Sequence, residues 1–124
     1  MDYDNASDFE VNKAVAKALG FDVDSRYFQE GFDKKGTCLI LNESSVGREL
    51  NYCNDPSDAW PIIVENNISL SHNIIMWSAS SLVYGDFGDS GFNIFRSDSK
   101  ASDVSSSAAL RAAMIVFLKM EESK

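Results

Sequence analysis

The stretch that most restricts the fold is Asn51–Asn67, NYCNDPSDAWPIIVENN. It packs stop, start and burial signals into one short run. Asp55 suits a helix N-cap and Pro56 the first helical position, where its missing N–H costs nothing. Asp58 falls at the third position, from which a carboxylate can return a capping-box bond. Ala59, Trp60, Ile62, Ile63 and Val64 then make a short apolar helix that something must cover. Pro61 conflicts with that helix: it removes one hydrogen bond and biases Trp60 away from the αR region. A kink, or a helix that begins only at Asp58, would resolve the conflict. Either way the stretch sets a tryptophan and two carboxylates at one corner of the fold.

A chain of 124 residues is expected to form a single domain over 1–124, large enough for a core that needs neither metal nor disulfide. Its 44% hydrophobic content is that of a globular protein rather than a disordered one. Lys and Arg number 11 against 19 acidic residues, net −8, which argues against a direct grip on nucleic acid, where cations must neutralise phosphates. That charge suits a basic protein partner, or plain solubility. Cys38 and Cys53 are too far apart for a CxxC redox or zinc pattern, and Cys38 sits in TCLIL as a small core hydrophobe. The acidic start MDYDNASDFE does not resemble a signal peptide, and no apolar run is long enough for a membrane span. A cytoplasmic, thiol-reduced protein is therefore expected.

Ser7-Asp8-Phe9-Glu10 reads as a capping box opening a helix. Val11, Val15, Ala18 and Leu19 give its apolar stripe, Asn12, Lys13 and Lys17 its wet side, and Gly20 its end. From Phe21 to Gly36 aromatics alternate with acids without a clear period, which reads as an ordered loop docked on the core. Thr37–Leu41 reads as a strand, followed by a polar turn over Asn42–Gly47 and a brief pairing segment at Glu49–Cys53. Ile68–Leu70 and Ile74–Ala79 predict a hairpin turning through Ser71-His72-Asn73. GDFGDSG, Gly85–Gly91, lacks the Lys-Ser/Thr of a P-loop and the spacing of an EF-hand, so it reads as a tight turn before the strand Phe92–Phe95. Ser97–Ser107 is polar and of low complexity, a mobile connection whose last serines can cap a final helix, Ala108 to about Glu121.

That final helix is apolar on nearly every face. It must be sandwiched between a sheet and another helix, or form a homo-oligomer interface. Arg111, its one charge in the first half, is expected to snorkel or to pair with Asp55, Asp58 or Glu65. The whole pattern predicts an α+β domain. In it, a small antiparallel sheet of three to five strands packs with about three helices, N-terminal, central and C-terminal.

Catalytic sets are thin, and the sequence leans away from an enzyme. His72 is the only histidine, there is no GxSxG elbow, and three His and Cys residues scattered along the chain do not suggest a metal or cofactor site. The Asp55/Asp58 pair is better explained by capping than by acid–base chemistry. Trp60 and Trp77 are expected in the core. The candidate binding residues are Asp55, Asp58, Trp60 and Arg111.

Three blocks, DYDNASDFEVNKAVAKALG, NYCNDPSDAWPIIVENNISL and ALRAAMIVFLKMEE, together resemble the NinX family. These are small accessory proteins of lambdoid phages and prophages. The blocks occur in the family's order, and the run from Cys53 to Pro61 carries the most specific part of the resemblance. Ala109 stands where the family usually has a proline, and segments 21–50 and 80–105 match poorly. The last two blocks also look like a remoter phage α/β/α sandwich domain. The resemblance implies a phage origin and brings no biochemical activity with it. Two readings of function follow. The first is an accessory protein that binds a host or phage protein, for instance to counter a defence or retune a host enzyme, with a basic surface evolved for DNA as the natural electrostatic target. The second is a small-molecule binder such as a nucleotide sponge, using Trp60 with Arg48, Arg96 and Arg111, and needing a basic cavity. A small hydrolase built on His72 or aspartate-bound metal ranks last.

Overall fold

The first helix, α1 (Asp8–Ala18), begins where Ser7 accepts the Glu10 N–H at 3.1 Å. It ends in a Schellman motif: Gly20 at φ +99° donates to the Lys17 carbonyl, and Phe21 donates to that of Ala16. The computed structural model describes residues 1–32, 35–42, 46–72, 76–84, 92–99 and 105–124. Its remaining elements are β1 (Phe28–Glu30), β2 (Cys38–Leu41), β3 (Val46–Leu50), α2 (Pro56–Glu65), β4 (Ser69–His72), β5 (Trp77–Tyr84), β6 (Phe92–Asp98) and α3 (Ser106–Glu122).

The strands form two antiparallel sheets of three, ordered β1-β2-β3 and β4-β5-β6, where one sheet of three to five strands was expected. The first sheet arises because the aromatic segment after α1 is not all loop. Phe28–Glu30 pairs with Cys38–Ile40, and the third strand starts at Val46, inside the expected polar turn. The hairpin expected after α2 is present. However, His72 lies in β4 opposite Trp77 rather than in a turn, and β5 extends past Ala79 to Tyr84. β6 likewise runs on to Asp98, where a mobile connection was expected. The GDFGDSG stretch at 85–91 lies outside the described residues, as does the low-complexity run at 100–104.

The last helix organises the core. α3 packs against β5, β6, α1 and α2, and of residues 108–120 only Arg111 and Lys119 fall short of burial. The chain itself therefore covers the apolar faces of α3. β5 and β6 turn Ala79, Ser81 and Phe95 towards this helix, while Leu82 and Ile94 face outward. Among the described residues no helix covers that outward face. In α1 the buried stripe is Val11, Asn12, Val15 and Ala16, not Ala18 and Leu19, which are exposed. Among the described residues no helix is long and apolar enough to cross a membrane.

Candidate functional site

The corner between β3 and α2 is fixed from inside by Asn12. This side chain is fully buried, on the face expected to be wet. Its amide donates to the Gly36 carbonyl at 2.7 Å and to Asn51 Oδ1 at 3.1 Å, and its Oδ1 accepts the Cys53 N–H at 2.9 Å. An asparagine pays its desolvation only when such partners are complete, and here they are. Gly36, at φ +91°, is where the β-hairpin meets α1; a Cβ there would stand 3.0 Å from Asp8 Cβ.

The network continues to the surface. Asn54 donates to Asn51 Oδ1 at 3.0 Å and to Asp8 Oδ2 at 3.2 Å. Asp8 Oδ1 in turn receives Arg111 at 2.7 Å. Arg111 thus pairs with α1, not with Asp55, Asp58 or Glu65 as its sequence context suggested. Its other donors go to the Tyr3 and Ala6 carbonyls, so the guanidinium clamps the N-terminal segment onto α3. Tyr3 reaches Glu122 at the far end of the same helix.

α2 begins at Pro56, not at Asp58, and keeps Pro61 inside it. Asp55 caps it by accepting the Ser57 N–H at 2.9 Å, and the two Ser57 donors hold its carboxyl below the usual carboxylate range. Asp58 accepts the Asn51 N–H at 3.0 Å, closing the loop before the cap instead of returning to Asp55. The helix ends at Asn66, and Asn67 takes φ +53° so that Asn67 and Ile68 donate back to Val64 and Ile63. Ser81 of β5 donates to the Asn66 carbonyl at 2.9 Å and anchors that end.

Between these anchors α2 shows two faces. Ala59, Ile62 and Ile63 are buried, whereas Pro56, Ser57, Trp60, Pro61, Val64 and Glu65 face solvent. Trp60 is 60% exposed, so the expectation that it belongs to the core is overturned. A helix of ten residues that touches the core on one side cannot bury both sides. Trp77 is only half-buried and lies against His72, ring centroids 4.7 Å apart.

Of the four candidate binding residues, Asp55 and Asp58 share a cleft of about 210 Å³, together with Thr37, Glu49, Asn51 and Asn54. Trp60 follows on the same helix, one turn beyond Pro56, which also lines the cleft. Arg111 is not part of it: it lines a separate cavity of about 430 Å³ with Asp4, Asp8 and Asp98. Arg48 lies over the Phe21 ring, apart from that cavity, and Arg96 is paired with Asp98 at 3.2 Å, so the three arginines do not line one basic cavity. Asn12, Asn51, Asn54 and Asp8 were missed in the sequence. The spacing of Asn12 three and four residues before Val15 and Ala16 places it on their face and was the available signal.

Both cysteines are free and buried. Burial pushes each thiol up to about 12, with the neighbouring carboxylates of Glu30 for Cys38 and Asp8 for Cys53 adding to it. Such thiols are packing groups and poor nucleophiles at neutral pH.

No curated protein and no solved structure matches the chain. A family model described as Bacteriophage P22, NinX matches residues 2–121. That match spans α1, α2, the corner between β3 and α2, and all of α3 but its last residue, and with it the chain belongs to the NinX family of phage accessory proteins.

Proposed function

We propose that this phage accessory protein acts by binding a host or phage protein, in a counter-defence or host-modulating role. The observation that carries the reading is the uncovered apolar face of α2, with Trp60 60% exposed on a helix anchored at both ends. Folding explains the other residues of the corner: Cys53 packs, Asn54 bridges, Asp55 caps and Asp58 closes the loop. It gives no reason for Trp60 and Pro61. An exposed tryptophan on a rigid element is the residue type most enriched among binding hot spots, and pre-ordering spares the complex part of its entropic cost.

A nucleotide-binding role has less support. The cavity beside Arg111 is lined by three aspartates, and that arginine already serves Asp8 and two carbonyls. A hydrolase is supported still less, since His72 faces an indole.

The test is affinity capture from bacterial lysate with the tagged protein and its Trp60→Ala variant, reading both proteins and heat-released small molecules by mass spectrometry. The expected result is one stoichiometric protein held by the wild type and lost by the variant. Equal capture by both, or a released nucleotide with no protein, would overturn the reading.

A further inference from the structure

The apolar face of α2 and the cleft beside it form one continuous surface, and their chemistry differs sharply. Pro56, Trp60, Pro61 and Val64 make the apolar part, a stripe along a helix of roughly 15 Å. Pro56 is also the wall of the cleft, whose other sides include the carboxylates of Glu49, Asp55 and Asp58. Among the described residues, none that lines the cleft is a cation. At the far end of the stripe Glu65 is exposed. The stripe is thus acidic at both ends.

Resting on the protein-binding reading above, we propose that the partner is a basic protein segment that lays an apolar side chain across Trp60 and Val64 and places an arginine or lysine against the carboxylates of Asp55 and Asp58 in the cleft. Asn54 stands in the same cleft, exposed, and its amide oxygen offers a further acceptor to a long cationic side chain. A second copy of the chain is the poorer occupant. It would bring its own carboxylates against these, and each copy carries net −8. The same charge distribution speeds encounter with a cationic surface and makes that encounter salt-dependent.

The Asp55→Asn/Asp58→Asn double variant tests this without dismantling the corner, because asparagine still caps and still accepts the Asn51 N–H. The probe is an array of synthetic twelve-residue peptides pairing one Arg or Lys with one Leu or Ile at varied spacing, beside counterparts carrying Glu in place of the cation. Binding is read by fluorescence anisotropy at low and high salt, and located by amide and indole chemical shifts. The expected result is binding of cationic peptides only, with shifts at Asp55, Trp60 and Val64. The double variant should lose on the order of tenfold in affinity and most of the salt dependence. Trp60→Ala should lose binding at every salt concentration.

The two readings fail separately. If the double variant binds as the wild type does, or Glu peptides bind equally well, while Trp60→Ala loses binding, the basic partner is wrong and the docking face stands. If Trp60→Ala also changes nothing, both fall. Absence of binding by every peptide overturns the basic segment, and a doubled mass in sedimentation that Trp60→Ala abolishes makes a second copy the occupant instead.

Discussion

Oδ1 of Asn12 accepts the backbone N–H of Cys53 at 2.9 Å, across 41 residues of chain. That bond joins the first helix to the loop from which the second starts. The surface face of α2 therefore inherits its position from a buried amide, and the network runs on through Asn51, Asn54 and Asp8 to Arg111.

Replacing Asn12 by alanine strands the Cys53 N–H and the Gly36 carbonyl in the core. Each unsatisfied buried group costs about 1–3 kcal/mol, so Asn12→Ala is expected to lose roughly 3 kcal/mol. Asn12→Asp should also destabilise, since a carboxylate accepts from Cys53 but has nothing to donate to Gly36. Urea denaturation at neutral pH measures both, and a loss below about 0.5 kcal/mol for the alanine variant would remove the network from the account.

Trp60→Ala is expected to leave stability within about 0.5 kcal/mol of the wild type, the range for exposed sites. A buried tryptophan would instead cost about 3–5 kcal/mol. Thermal unfolding separates the two, and indole fluorescence quenching by acrylamide reports the exposure directly.

Pro61 sits inside α2 with its ring turned to solvent and cannot donate to the carbonyl of Ser57. Pro61→Ala should restore that bond and raise stability by about 1 kcal/mol. A loss of stability would mean that the proline shapes the helix in a way the fold needs.

Arg111→Lys should release the N-terminal segment, because an ammonium cannot reproduce a planar fork shared by Asp8, Tyr3 and Ala6. The pair is partly exposed, which screens it, so the expected loss is about 1–2 kcal/mol. Faster amide exchange at Ala6, whose N–H is held by the Asp2 carbonyl, is the local readout.

Alkaline pH should unfold the protein through its buried acids. Cys38, Cys53 and Tyr52 are each pushed up to about 12, chiefly by burial, from ordinary values of 9.0, 9.0 and 10.0. With raised folded values, their contribution is fully present below about pH 9, where the unfolded groups are still protonated. It is lost as pH climbs towards 12, because the unfolded chain releases protons first. Urea midpoints should hold to about pH 9 and fall beyond it, and Cys53→Ala should flatten part of that fall.

The local signals were legible wherever they are short-range. Ser7, Gly20, Asp55 and Pro56 act at the helix ends that their chemistry implies, because caps and turns are settled within a few residues. β1 was not legible: Phe28–Glu30 is a strand only because β2 lies beside it, and three residues show no period of their own. Asp55 and Asp58 could be placed together by their spacing, whereas Arg111 could not be assigned to Asp8, a partner 103 positions away.

The sequence by itself determined that this is an α+β chain with three helices, a strongly apolar last helix and a capped central one. Periodicity and capping are properties of consecutive residues, and the chain carries them before it folds. Only the tertiary structure decided which side of each apolar helix meets the core. α3 is enclosed because β5, β6, α1 and α2 surround it, while α2 touches its neighbours on one side and leaves Trp60 in water. Burial is a relation between elements distant in sequence, and a hydrophobic residue does not record whether enough surface remains to cover it.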